Sequence, residues 1–138
     1  MLPSFTDYCL LLAKLPEQHP LIQSSTLTAY TIGPWVAEVI GELTFIEGYV
    51  LTVWELLDLS TQTIRSYSYE LDKDGERVWW YDPMEHPENP ILQSTFPHHK
   101  HIYPNIKRNR VPAPNISFHS PNLPFLIQEV ESLLAQSA

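Results

Sequence analysis

The feature that most constrains the fold is a regular alternation of side-chain character along residues 35–45. Every odd position in this segment is apolar or glycine, whereas Glu38, Glu42 and Thr44 occupy even positions. Successive side chains of a strand point to opposite sides, so a period of two is typical of a β-strand with one buried face. The next residues, Ile46-Glu47-Gly48, are few and include a glycine suited to a tight turn. The segment therefore predicts a strand that is followed at once by a reversal of the chain.

Other segments have the same strand-like character. They are rich in Thr, Tyr, Ile, Val and Trp, which favour strands, and comprise Ser25–Ile32, Tyr49–Leu57, Ile64–Leu71 and Arg77–Tyr81. The last two are joined by the turn Asp72-Lys73-Asp74-Gly75. Such short links require antiparallel neighbours, because parallel pairing needs a crossover of about a dozen residues. We therefore expect an antiparallel meander of four to six strands.

Two amphipathic segments flank these strands and predict helices. The first covers residues 4–15, with Ser4 as its N-cap and Pro16 as its end. The second covers residues 122–136, with Asn122 as its cap and an apolar stripe along one side. Two helices packed on one face of an antiparallel sheet give an α+β fold. With 138 residues, 43% of them hydrophobic, the chain is expected to form a single domain.

The composition also limits where the protein works. A single cysteine, Cys9, excludes a disulfide framework and suits a reducing cytoplasm. No apolar run approaches the roughly 20 residues that cross a bilayer. The first residues lack the basic region of a secretory signal. We therefore expect a cytoplasmic protein without a membrane partner.

Charge and proline are both segregated along the chain. The formal net charge is −8, yet residues 89–128 contain no Asp or Glu. Nine of the thirteen prolines lie between Pro83 and Pro124. We divide the domain into an acidic sheet body (residues 1–88), a basic band (residues 89–121) and the C-terminal helix. The cations of the basic band are Lys100, Lys107, Arg108 and Arg110.

The basic band has two interpretations. It is either a surface loop whose charges are simply solvated, or an anion-binding surface for RNA, a nucleotide phosphate or an acidic partner. The net charge of −8 argues against indiscriminate binding of nucleic acid. It leaves room for a local phosphate site, since salt limits the reach of distant carboxylates to roughly 10 Å.

The densest group of chemically active residues is Phe96-Pro97-His98-His99-Lys100-His101. In an extended backbone, alternation puts His99 and His101 on one side and His98 and Lys100 on the other. The two histidines could share acid and base work on RNA, with Lys100 stabilising the charge of the transition state. They could also bind a metal with His86, Asp82 or Glu85, although no zincin-type helical spacing supports that. The third alternative is an exposed histidine run.

Two acidic residues outside the basic band are further candidates. Asp82 either orients an imidazole or belongs to an ordinary Asp-Pro turn with Pro83. Glu55 interrupts an apolar strand, between Trp54 and Leu56. A carboxylate there is either an edge residue that faces water or a buried group with a cationic partner, and we favour the edge.

Several of these segments occur in the order seen in the TumE-like toxins, small bacterial and archaeal proteins often encoded beside a DNA-binding antitoxin. The resemblance covers about residues 38 to 103, and its most specific part is the Phe-Pro-His-His-Lys-His run. The matching segments are Gly41–Phe45, Gly48–Glu55, Tyr67–Tyr69, Tyr81–Asp82 and Thr95–His101. The family pattern has an Arg-Tyr pair before the aspartate and an Asn and a Pro-His-His run after it. This chain has Trp80-Tyr81 and Pro83–Pro87 there, so one basic residue and one histidine are missing.

The resemblance implies a toxin that acts on RNA or translation and is neutralised by a DNA-binding antitoxin. Combined with the residues above, it leads to a first hypothesis of a metal-independent endoribonuclease without a cofactor. The candidate catalytic residues are His99, His101, Lys100, Asp82 and Glu55. The candidate RNA-binding residues are His98, Lys107, Arg108 and Arg110.

The second hypothesis is a binding module without chemistry. In this alternative the basic band binds an antitoxin, an RNA segment or an acidic partner. A small open sheet also leaves edges that tend to be covered, which is compatible with a homodimer.

Overall fold

The computed structural model describes residues 1–137, which form an eight-stranded antiparallel sheet, two α-helices and two short 3₁₀ helices, Ile46–Gly48 and Pro90–Thr95. Helices α1 (Phe5–Gln18) and α2 (Leu123–Gln136) lie at the two ends of the chain. The strands are β1 (Ile22–Ser25), β2 (Thr28–Thr31), β3 (Val36–Phe45), β4 (Tyr49–Asp58), β5 (Thr63–Lys73), β6 (Glu76–Asp82), β7 (His99–Ile102) and β8 (Arg110–Pro112). The predicted α+β class is confirmed.

The sheet follows the chain as a meander from β3 to β8, with β1 and β2 sharing the outer edge of β3. The alternation along residues 35–45 corresponds to β3, and the next three predicted strands correspond to β4, β5 and β6. The prediction of four to six strands was too low for two reasons. The predicted segment 25–32 corresponds to β2, and the additional strand β1 lies almost entirely before it. The basic band also supplies β7 and β8, whose proline and histidine content is not typical of strands.

Both helices pack on the same face of the sheet. On β4 this face carries Glu55, which accepts a hydrogen bond of 2.6 Å from Tyr8 of α1. On β6 and β7 the same face carries Tyr81 and Lys100, and both side chains bond to Glu129 of α2. The hydrophobic core lies between this face and the two helices, as the predicted layout requires.

The helix ends differ in detail from the prediction. Ser4 caps α1 by accepting a hydrogen bond from the Asp7 N–H, but the helix continues past Pro16 to Gln18. Asn122 precedes α2, but its side chain does not cap the helix. It is buried and bonds to Ser117 and to the Tyr69 hydroxyl. Neither helix, nor any other within residues 1–137, is long and apolar enough to cross a membrane.

Gly41 allows the chain between β1 and β2 to pass close to the middle of β3. Its φ is +145°, and a Cβ at this position would lie 2.5 Å from the carbonyl oxygen of Thr26 and 2.8 Å from the Cα of Leu27. Both atoms belong to the backbone and have little freedom to move. We therefore expect Gly41→Ala to lower the free energy of unfolding by about 3 kcal/mol, measured by urea denaturation.

Gly33→Ala is the matched control, because Gly33 also has a positive φ (+75°) but open space around it. Apart from Gly33 itself and its two chain neighbours, no heavy atom of residues 1–137 lies within 4 Å of the position that an added methyl group would take. The substitution should cost only the left-handed backbone penalty of about 1 kcal/mol. Equal losses in the two variants would show that the close approach at Gly41 contributes nothing to the stability.

Candidate functional site

Strand β7 places two histidines beside an aspartate of β6. In the antiparallel pairing, Asp82 lies opposite His99, and Trp80 lies opposite His101. Cross-strand partners point to the same face, and so do residues two apart on one strand. Asp82, His99 and His101 therefore share one face of the sheet, and it is the face opposite to the two helices.

The polar atoms of these three side chains converge on one point. The Nε2 atoms of His99 and His101 are 3.1 Å apart. The two carboxylate oxygens of Asp82 lie 3.0 Å from them, Oδ1 from His99 and Oδ2 from His101. The exposed fractions are 1% for His99, 4% for His101 and 9% for Asp82. We call this group the Asp-His-His cluster.

Backbone carbonyl groups orient both imidazole rings. The Nδ1 atom of His101 lies 2.7 Å from the carbonyl oxygen of Ile106, and that of His99 lies 3.2 Å from the carbonyl oxygen of Pro97. A carbonyl oxygen only accepts hydrogen bonds, so both Nδ1 atoms are the donors. In the neutral imidazoles, both Nε2 atoms therefore present a lone pair to the centre of the Asp-His-His cluster.

Asp82 is held in its ionised form. Burial by itself would raise its pKa, but the hydrogen bonds that His101 and His99 donate through Nε2 when they are protonated, together with a 2.9 Å bond from the Met84 N–H, lower it by more. The net result is a pKa well below the usual range of an aspartate. The cluster thus combines a carboxylate with two imidazoles, and the role of Asp82 in orienting an imidazole stays a prediction.

A pocket of about 250 Å³ opens directly beside the Asp-His-His cluster. Its lining residues are Trp80, Asp82, Met84, His86, His101, Lys107 and Arg110. The Trp80 ring stacks on His101 with a centroid distance of 4.5 Å, and the His86 ring packs edge-on against His99 at 5.0 Å. The cluster is therefore supported by aromatic packing and is reached from one side through this pocket.

The predicted RNA-binding residues are divided by the fold. Lys107 and Arg110 line the pocket, while Arg108 is exposed in the turn between β7 and β8. The Nε of Arg110 is buried and has no acceptor among residues 1–137. His98 lies away from the pocket, where its Nδ1 is 2.7 Å from the Tyr67 hydroxyl.

Lys100 is also separated from the Asp-His-His cluster. Its ammonium group donates a 2.8 Å hydrogen bond to Glu129 of α2 and lies over the rings of Trp79 and Tyr81. It belongs to the helix-covered face, because it follows His99 by one residue along β7. The role of charge stabilisation at the cluster, predicted for Lys100, does not fit this position.

Glu55 lies on the helix-covered face as well, and it is completely buried. Its partners are the hydroxyl groups of Tyr8, at 2.6 Å, and Tyr69, at 2.5 Å. The expectation of an exposed edge residue was wrong, and the buried alternative did not foresee tyrosines as its partners. Burial raises the pKa of Glu55, although the hydrogen bonds from Tyr69 and Tyr8 lower it in part. Its position assigns Glu55 to the core and not to the pocket.

Sequence reasoning named all three members of the Asp-His-His cluster but missed Trp80 and Met84 as its neighbours. Trp80 precedes Asp82 by two residues, so the strand alternation could have placed it on the same face. His86, one of the metal ligands considered, does reach the pocket, whereas the exposed Glu85 is not among its lining residues.

The buried carboxyl group predicts a pH dependence of stability. Because the pKa of Glu55 is raised above 4.5 by folding, the folded chain holds this proton more tightly than the unfolded chain. Its contribution to stability is fully present below the unfolded pKa and is lost as the pH rises through the folded pKa. Urea denaturation between pH 4 and pH 8 should therefore show the wild type losing stability relative to Glu55→Gln as the pH rises.

Glu42→Gln is the matched control, since Glu42 is exposed on the neighbouring strand β3. Its stability should run parallel to that of the wild type over the same pH range. If the stability of Glu55→Gln also ran parallel to that of the wild type over this pH range, the result would contradict a raised pKa of Glu55.

The comparisons with known proteins agree with the resemblance noted in the sequence. The family model described as toxin TumE matches residues 12–134, which is most of the chain. No curated protein and no solved structure gives a significant match. The match spans all eight strands and includes the complete Asp-His-His cluster. The chain therefore belongs to the TumE toxin family.

Proposed function

We propose that this toxin cleaves RNA in the pocket beside the Asp-His-His cluster. The observation that carries the proposal is that Lys107 and Arg110 line the same pocket as Asp82 and His101. Cleavage of a phosphodiester needs an acceptor for the proton of the attacking group and positive charge beside the phosphate oxygens. The pocket offers both within one concave site.

The distribution of charge supports an anionic substrate. The acid-free residues 89–128 include β7, β8 and the turn between them, so the pocket rim carries cations while the sheet body is acidic. A polyanion is therefore attracted to this rim and repelled by the remaining surface. A single-stranded segment of RNA fits such a narrow basic site better than a duplex does.

The geometry changes the roles that we assign to His99 and His101. In phosphoryl transfer the attacking and leaving oxygens are roughly in line on opposite sides of the phosphorus atom. Two Nε2 atoms only 3.1 Å apart cannot serve as the base on one side and the acid on the other. We therefore assign the Asp-His-His cluster as one unit to the activation of the attacking hydroxyl.

In this scheme the cluster accepts the proton of the RNA 2′-hydroxyl. The 2′ oxygen forms a bond to the phosphorus atom, and the bond between phosphorus and the 5′ oxygen breaks. The 5′ oxygen takes a proton from solvent in the open pocket, and the products are a cyclic phosphate and a 5′-hydroxyl end. Lys107 and Arg110 stabilise the charge on the phosphate oxygens.

A toxin family implies an antitoxin partner, and we propose that this partner is a DNA-binding protein that covers the pocket. The alternative is that the basic band only binds RNA, the antitoxin or another acidic partner, without chemistry. That alternative requires salt-sensitive binding without cleavage.

The first test compares two histidine variants of the basic band in the same assays. His101→Ala removes a member of the cluster and should lower RNA cleavage by about 100-fold or more, since general base catalysis contributes roughly this much. It should also relieve growth arrest after induced expression. His119→Ala is the matched control because His119 is exposed and outside the pocket, and it should behave like the wild type.

Circular dichroism and the thermal midpoint would establish that both variants are folded. Growth arrest by folded His101→Ala at the wild-type level would contradict the proposed site. RNA binding with no cleavage by the wild type would favour the binding module.

The second test concerns the basic turn. The double variant Lys107→Ala/Arg108→Ala should weaken RNA binding. The slope of log affinity against log salt concentration should also fall by the amount that corresponds to roughly one to two phosphate contacts. Both residues are exposed, so the fold should be unaffected. The control, Lys14→Ala/Arg65→Ala, removes the same charge from exposed positions on α1 and β5. An equal loss of affinity in the control would show a response to net charge only.

A further inference from the structure

We infer that Asp82, His99 and His101 bind a divalent transition-metal ion of the zinc type. Among residues 1–137 they are the only group of three His, Cys, Asp or Glu side chains whose ligand atoms lie within 4.8 Å of one another. Metal binding is inferred from geometry alone and is independent of RNA cleavage. From the sequence, metal binding by His99 and His101 remained an alternative with three possible further ligands, and the fold singles out Asp82 among them.

The hydrogen-bond pattern favours a cation at the centre of the cluster. Both Nδ1 atoms donate to backbone carbonyls, so the two Nε2 lone pairs and the Asp82 carboxylate face one another. Three electron-pair donors in mutual contact repel each other unless positive charge lies between them. One added proton would bridge a single contact, whereas a metal ion accepts an electron pair from all three groups at once.

The same pattern is characteristic of metal-binding histidines. A ligating imidazole usually donates its other N–H to a carbonyl or carboxylate, which sets the tautomer and the ring orientation. Ile106 and Pro97 supply these carbonyl groups here. The Met84 N–H similarly holds the carboxylate of Asp82.

The distances in the cluster are close to those between ligand atoms around a bound ion. Tetrahedral zinc with bonds of about 2.0–2.2 Å to nitrogen and oxygen places neighbouring ligand atoms roughly 3.3–3.6 Å apart. The two Nε2 atoms are 3.1 Å apart, and each lies 3.0 Å from a different oxygen of the Asp82 carboxylate. An ion at the centre therefore requires these atoms to move apart by only a few tenths of an ångström.

The ligand types identify the class of metal. Two imidazoles and one carboxylate, with no thiolate, suit zinc and the neighbouring divalent transition metals, while magnesium and calcium prefer oxygen ligands only. Three protein ligands leave a further coordination position, as in catalytic zinc sites. Asp82 and His101 both line the pocket, so a fourth ligand would be a water molecule or a substrate oxygen from that side.

The pairing of two strands explains how ligands from separate segments of the chain come together. His99 and His101 are two residues apart on β7 and therefore point to the same side. The third ligand comes from the directly paired residue of β6, and residues 83–98 separate the two strands in the sequence.

The test is calorimetric titration of tag-free, chelator-treated protein with Zn²⁺, followed by metal analysis of the dialysed complex. We expect one ion per chain, micromolar or tighter affinity and an increase in the thermal midpoint. Asp82→Asn and His101→Gln should each weaken binding at least about 10-fold. His119→Ala, outside the cluster, should bind like the wild type. Binding of Co²⁺ should quench the fluorescence of Trp80, because its ring stacks on His101.

Failure of the wild type to bind Zn²⁺ at one equivalent would overturn the inference, as would unchanged affinity in folded His101→Gln. These outcomes are separate from those for the proposed function. RNA cleavage that persists in EDTA, without metal binding, would leave the RNA-cleaving function standing and exclude the metal. Stoichiometric metal binding without RNA cleavage would support the metal site and exclude the RNA-cleaving function.

Discussion

The antiparallel pairing of β6 with β7 is the constraint on which the rest of the site depends. It sets Asp82 opposite His99, and the alternation of the strand then brings His101 to the same face. A shift of one residue in this register would turn the histidines toward the helices and Lys100 toward the pocket. The backbone hydrogen bonds between the two strands therefore determine both the identity and the orientation of the groups that meet at the Asp-His-His cluster.

The two faces of the sheet handle polar groups in different ways. On the helix-covered face, Glu55 is buried and satisfied by Tyr8 and Tyr69, and Lys100 is satisfied by Glu129. These groups have complete partners within the fold, as buried polar groups normally do. On the other face, the cluster gathers electron-pair donors beside a pocket. The first arrangement stabilises the fold, and the second is suited to a substrate or a cation.

Membership of the TumE toxin family and the geometry of the pocket point in the same direction but carry different information. The family implies a toxin with an antitoxin partner. The pocket supplies the chemistry that we propose, with cationic residues at its rim and oriented imidazoles at its base. Metal binding and the acceptance of the 2′-hydroxyl proton would use the same Nε2 lone pairs, so cleavage measured with and without EDTA separates the two proposals.

Much of the fold was predictable from local patterns, because strand alternation and short turns act over a few residues. The alternation around Glu38 and Glu42 predicted β3, and the short links predicted the antiparallel meander. Two expectations were wrong for a common reason. The number of strands was too low because β7 and β8 lie in a segment with low strand propensity, and Glu55 was expected at an exposed edge but is buried. Pairing with β6 and burial beneath α1 are tertiary effects that local composition does not encode.

For the site, residue types and strand alternation were enough to identify Asp82, His99 and His101 as candidates and to place the two histidines on one face. They could not separate Lys100, His98 and Glu55 from them, because all six residues carry suitable chemistry. Which of these residues meet depends on the pairing of β6 with β7 and on the packing of the two helices. The physical reason is that strand register and the burial of each face depend on contacts between segments distant in sequence, whereas periodicity reports only on neighbours along the chain.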